Sequence, residues 1–318
     1  MNKINLGIDI SKKKVDVCIL LPNGKALTHV FNNDEKGFDE LLKWLDQKQV
    51  GFCRAVMEAT GWYGEDVAGV LYKKGHTVFI VNPAQIKYFG MSKLSRAKTD
   101  KKDARLIAEF AATHPELKPW VPLTSSQEKL KNLYRHLDRL KADRAQLKTR
   151  MESIRDKDVK KLCQAQQEFV SNQIQELEKT IRAHIKSDPD LKGKAELLLT
   201  IPAVGEALGW AILTEVPQLE SFRNAKQFAA FVGLNPSVCE SGTSVRSRGG
   251  ISKTGSSFLR KMLYLPGMTA MRFNPVIKPF ADALRTKGKN GKVIVIACMR
   301  KLLHIIYGVL TKQQPFVG

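Results

Sequence analysis

The chain has 318 residues, 43% of them hydrophobic and 26% charged, enough apolar material for two or three packed domains and too much for global disorder. Lysine and arginine number 52 against 31 aspartate and glutamate, a net charge of +21, so a polyanionic partner is expected, nucleic acid or an anionic membrane surface. The five cysteines form no C-x-x-C pair and the six histidines show no ligand spacing near them, which argues against a zinc site or a disulfide framework and suits a reducing compartment. The N-terminus lacks a signal-peptide layout and Val293 to Met299 is among the longest apolar runs, so a soluble cytoplasmic protein is expected, with no membrane partner.

In chain order, Ile4 to Ile10 alternates as a strand, Val15 to Leu20 reads as the next, Asn23-Gly24 as a turn and Ala26 to Phe31 as a third strand. A helix carrying Phe38, Leu41, Leu42 and Leu45 follows, then a strand over Cys53 to Met57, a helix from about Gly64 to Lys74, a strand over Val78 to Val81 and a helix over Asp100 to Ala112. A three-strand meander followed by alternating helix and strand describes a mixed α/β sheet of the ribonuclease-H type, placed at residues 1–115. Over 116–190, Leu130, Leu133, Leu137, Leu140, Leu147, Met151 and Ile154, then Val170, Ile174, Leu177, Ile181 and Ile185, recur at helical spacings without Gly or Pro. They read as two long helices in an antiparallel coiled-coil arm that Asp188-Pro189 ends. Residues 191–318 read as mostly helical, and from Pro236 onward 14 Lys and Arg stand against Glu240 and Asp282, an excess of +12.

Asp9 lies inside an apolar strand between Ile8 and Ile10, a costly place for an acid unless it is paired or holds a metal. Glu58 closes the fourth strand, which can lie beside the first, and Asp100 and Asp103 are three apart on one helix face. Together the four acids make a hard oxygen donor set suited to Mg²⁺ or Mn²⁺ and to phosphoryl transfer. Singly, Glu58 also reads as a salt-bridge partner, Asp100 as a helix N-terminal acid and Asp103 as a surface acid. The segment from Glu240 to Ser257 combines hydroxyls, glycines and the cations Arg246, Arg248 and Lys253, with Arg260 and Lys261 just beyond. It reads either as a phosphate-binding loop or as the source of a nucleophilic hydroxyl, and composition selects no single serine. Ile201-Pro-Ala-Val-Gly205 resembles the turn of a helix-hairpin-helix motif, with Ala203 where that pattern has glycine, and reads equally as a plain helix-helix turn.

Gly7-Ile-Asp9-Ile-Ser, Glu58-Ala-Thr-Gly-Trp-Tyr63, Val81-Asn-Pro83 and Lys98-Thr-Asp100-Lys-Lys-Asp103-Ala-Arg105 are followed by Phe228-Ala-Ala-Phe-Val-Gly-Leu-Asn-Pro236, Glu240-Ser-Gly-Thr-Ser244 and Gly291-Lys-Val-Ile. In this order, and over nearly the whole chain, they resemble the DEDD insertion-sequence transposases related to the Piv invertases, recombinases guided by a bridge RNA. The resemblance implies a RuvC-like N-terminal domain whose acids are Asp9, Glu58, Asp100 and Asp103, a coiled-coil arm, and a C-terminal transposase domain whose nucleophile is Ser241. It further implies Mg²⁺, a covalent 5′-phosphoserine intermediate, donor and target DNA, a guide RNA, and a homo-oligomer from dimer to tetramer in which acids of one protomer work with the serine of another. The competing expectation is a RuvC-like junction resolvase or nuclease that uses the same acids with water as nucleophile.

Overall fold

The computed structural model describes residues 4–59, 61–93, 100–237, 240–241, 245–246 and 250–318, with the side chains of 62, 100–102, 220, 240–241 and 245–246 outside that description. Two compact units divide at Pro122–Leu123. The first contains β1 (Ile4–Ile10), β2 (Lys14–Leu20), β3 (Ala26–Asn32), α1 (Glu35–Gln47), β4 (Cys53–Glu58), α2 (Glu65–Lys73), β5 (Thr77–Val81), α3 (Pro83–Ser92) and α4 (Asp100–Thr113). The sheet order is β3-β2-β1-β4-β5. β1 is antiparallel to β2 and parallel to β4, as the meander-then-crossover reading requires. Helix α3 is an element the sequence reading did not place; Asn82 caps it by accepting from the Ala84 amide, and Pro83 occupies its first turn, a start signal that Val81-Asn-Pro carries.

Side chains alternate across the sheet. One face puts Leu6, Ile8, Val17, Ala55, Met57 and Val78 against Phe38, Leu41 and Leu45 of α1 and Val67 and Leu71 of α2. The other face is covered by α4: Ala104 and Ala108 meet Cys18, and Ile107, Phe110 and Ala111 meet Val56, Phe79 and Val81. Gly7 makes that approach possible, because a Cβ there would lie 2.1 Å from the Ala104 carbonyl oxygen and 2.3 Å from the Ala108 nitrogen. Arg54 near the start of β4 fixes the helix's direction: its guanidinium donates to the carbonyls of Ala111 and His114, both at 2.9 Å. The C-terminal end of α4 is therefore held at the beginning of β4, and its N-terminal end lies toward the ends of β1 and β4.

The second unit begins with α5 (Ser125–Ser153) and α6 (Lys157–Ser187), joined by three residues. They pack antiparallel: His184 bonds with Ser126, and Lys141 pairs with Glu178 at 2.8 Å. Leu130, Tyr134, Leu137, Leu140 and Leu147 line the α5 side, and Val170, Ile174, Ile181 and Ile185 the α6 side. Asp188 ends this hairpin and caps α7 (Pro189–Leu199) by accepting from two amides. The rest comprises α8 (Glu206–Glu215), α9 (Ala225–Val232), a two-stranded ribbon of β6 (Glu240–Ser241) and β7 (Val245–Arg246), α10 (Ser257–Phe273), α11 (Ile277–Thr286) and α12 (Gly291–Lys312). The apolar core runs without interruption from Leu130 in the hairpin to Leu310 in α12. By length and composition α12 is apolar enough to cross a membrane, with a mean hydropathy of 1.9, although its unbroken apolar run from Val293 ends at Met299. Arg300, Lys301 and His304 interrupt the run without lowering its mean enough to matter, and the buried face of α12, from Ile294 to Leu310, is the core of this unit.

Two substitutions test this packing. Gly7→Ala should lower the stability of the first unit by about 3 kcal/mol or more, since its methyl meets backbone that cannot rotate away; calorimetry should show a lowered N-terminal transition with the helical unit unchanged. Leu137→Ala in the hairpin seam should cost about 2–4 kcal/mol in urea unfolding followed by far-UV circular dichroism.

Candidate active site

Strand register places the first two acids together. The last registered pair of β1 and β4 is Ile8 with Met57, so the next residues along the parallel strands are Asp9 and Glu58. Both are partly exposed, and by alternation both share the face of Gly7 and Val56, the face beneath α4. Asp103 is partly exposed in the first turn of α4, next to Ala104, which is buried against the sheet. Asp100 is the first residue of that helix, and its side chain lies outside the described residues. The topology thus brings Asp9, Glu58 and the N-terminal turn of α4 to one end of one sheet face. Among the described residues, which do not include the Asp100 side chain, no three His, Cys, Asp or Glu side chains stand as a metal-holding group.

A fifth acid escaped the sequence reading. Asp16 is the cross-strand partner of Asp9 and is only 8% exposed. The signal was present, since Asp16 sits between Val15 and Val17 just as Asp9 sits between two isoleucines, and the same desolvation argument applies. Further along α4, Glu109 bonds with Lys93, at the end of α3, and with Arg105. Burial pushes the Glu109 carboxyl up, and those two cations outweigh it and hold it below the usual range.

Ser241 belongs to the second unit. Glu240 pairs with Arg246 and Ser241 with Val245 across the β6–β7 ribbon, inside a segment read from sequence only as a loop. The side chains of Ser241 and Arg246, and all of Arg248, lie outside the described residues. Nearer α9 and α10 along the chain, the two flanking segments pair as a stem: Pro236 bridges Ile251, the Ser237 amide donates to Gly250 at 2.8 Å, and the Ser252 amide donates to Asn235 at 3.0 Å. Lys253 is exposed, with φ +54°. Lys261 reaches Asp138 of α5 at 3.6 Å, whereas Arg260 donates to the backbone carbonyls of Val232 and Gly255.

The Ile201–Gly205 turn joins α7 to α8. Ala203 takes φ +83° at the position where the hairpin pattern has glycine, so the backbone adopts the left-handed bend without that residue. The first turn of α8 carries Glu206, gripped by Arg182 through three contacts of 2.8 to 3.0 Å. A carboxylate there occupies the region of positive helix-end potential that a phosphate would otherwise use.

The DEDD transposase model of the IS110 type matches residues 6–157, and the model of the transposase IS116/IS110/IS902 family matches residues 195–282. The pilin gene-inverting protein of Moraxella bovis is 33% identical over 320 residues, spanning 99% of this chain and 98% of that protein. Its counterpart in Moraxella lacunata is equally similar, and a probable family 20 transposase of Pseudomonas aeruginosa is 25% identical over 85% of this chain and 87% of its own length. The chain belongs to the IS110-type transposase family and is an enzyme of DNA recombination and transposition.

Proposed function

We propose that this chain is a recombinase guided by a bridge RNA that cleaves and rejoins donor and target DNA through a covalent 5′-phosphoserine at Ser241. The observation that carries the reading is the shared sheet end of Asp9 and Glu58 beneath the helix that begins with Asp100 and Asp103. A donor set of four carboxylates fits a hard divalent cation, Mg²⁺ or Mn²⁺. Bound there, the ion supplies Lewis acidity at the phosphoryl oxygens.

In this reading the Ser241 hydroxyl attacks the phosphorus, its proton leaves to a carboxylate or water, and the DNA 3′ oxygen departs as a free hydroxyl. That 3′ hydroxyl, or one from the partner duplex, then attacks the phosphoserine and releases Ser241. One phosphoester bond forms for each that breaks, so no nucleotide hydrolysis is needed. Arg246, Arg248, Lys253 and Lys261 contribute phosphate contacts within the basic C-terminal quarter, and such contacts position the backbone without reading sequence. Sequence choice falls to base pairing with the guide RNA. The α5–α6 hairpin serves as a coiled-coil arm, and dimers to tetramers bring the acids of one copy to the serine of another, in the bacterial cytoplasm at the nucleoid.

The test uses the gene with its flanking DNA on a plasmid, which supplies any guide encoded beside the reading frame. Wild-type protein recovered under denaturing conditions should carry a nucleotide on the peptide containing Ser241, detected by mass spectrometry. Ser241→Ala should lose both the adduct and the recombinant junctions counted by PCR. Asp9→Asn should lower junction counts by roughly a hundredfold or more, the scale of losing metal stabilisation of a phosphoryl transition state. Cleavage to free 5′-phosphate ends with no adduct would assign the chemistry to water instead.

A further inference from the structure

We propose that Asn235, Ser252 and Arg260 form a brace across the mouth of the Ser241 ribbon and act as positioning residues for strand cleavage. The proposal rests on the reading of Ser241 as nucleophile.

The ribbon is reached by one strand leaving α9 and left by another entering α10, and the brace ties the two together twice. The Ser252 hydroxyl donates to the Asn235 side-chain oxygen at 2.7 Å, next to the backbone bond from Ser252 to Asn235. The Arg260 guanidinium donates through one nitrogen to Val232, the last residue of α9, at 2.8 Å, and to Gly255 on the returning strand at 3.2 Å. A cation at the C-terminal end of α9 is also favoured by that helix's dipole. Two glycines make room for this arrangement. At Gly233, with φ +79°, a Cβ would stand 2.6 Å from the Arg260 nitrogen, and at Gly255, with φ +144°, it would stand 2.1 Å from the Phe231 carbonyl oxygen.

A brace is needed there for a physical reason. The segment 238–250 contains three glycines and three serines, and glycine restricts the backbone less than any other residue. A nucleophile must reach phosphorus within a few tenths of an ångström of its in-line position, and a misplacement of about 1 Å costs on the order of a hundredfold in rate. The backbone pairs of the stem set its register. The two side-chain ties set the angle at which the ribbon leaves α9 and α10. Arg260, read from sequence as a phosphate contact, thereby acts on the DNA through Ser241.

The experiment compares full-length wild type with Asn235→Ala, Ser252→Ala, Arg260→Gln and the acceptor-retaining Asn235→Asp. Three quantities are measured: the covalent adduct from the plasmid assay, affinity for a mixed-sequence DNA duplex, and hydrogen–deuterium exchange of residues 237–251. The first three variants should lose roughly tenfold or more of the adduct and exchange faster through the segment, with duplex affinity and melting temperature close to wild type. Asn235→Asp should restore most of the adduct. Wild-type adduct levels in Ser252→Ala and Arg260→Gln would overturn the brace, as would a parallel fall in adduct and duplex affinity. If Ser241→Ala retains the adduct, the nucleophile assignment fails. The exchange data then judge the brace alone, and unchanged exchange in Ser252→Ala would overturn it.

Discussion

The contact between Gly7 and helix α4 governs what the N-terminal unit can do. Only a residue without a side chain lets the backbone of α4 rest on β1, with Ala104 and Ala108 directly above. With Arg54 anchoring the far end of the helix, the close approach leaves α4 little freedom to slide or tilt. Its first turn, with Asp100 and Asp103, is thereby carried to the end of the sheet where Asp9 and Glu58 stand side by side. Acids separated by some fifty residues in sequence become neighbours because a helix and two parallel strands share one narrow crossing.

The second unit works by a different principle. Its core is a continuous helical apolar mass from the α5–α6 hairpin to α12, and a small two-stranded ribbon stands in the chain between α9 and α10. The excess of +12 from Pro236 onward suits a DNA-bound element, and it is separated along the chain from the carboxylates of the first unit. In the proposed reaction this division has a use. Negative carboxylates and a negative phosphodiester repel one another, so a divalent ion is needed on one side and a cationic surface on the other.

Much of this was legible in the sequence because it rests on local signals. Strand alternation marked β1 to β4, a two-residue turn set the meander, and heptad-like spacing marked α5 and α6, the second of which ends at Ser187, where Asp188-Pro189 predicts. Asp9 stood out because its neighbours are apolar. What escaped depends on pairing at a distance. Asp16 gained its meaning only from its register opposite Asp9. The bonds of Arg260 to Val232 and Gly255 follow from a chain reversal that no residue spacing announces. Helix α3 was missed although its Asn-Pro start is a local signal, since ten residues with little amphipathic contrast give periodicity little to detect.

The central claim is that the carboxylates at the end of the N-terminal sheet hold a divalent cation. Its most direct test is a Mn²⁺ titration of the full-length protein, followed by electron paramagnetic resonance, for wild type, Glu58→Gln and Ser241→Ala. The account predicts equal Mn²⁺ uptake by wild type and Ser241→Ala, with Glu58→Gln weakened by roughly tenfold or more through loss of a charged oxygen ligand. Equal affinity in Glu58→Gln and wild type would contradict it.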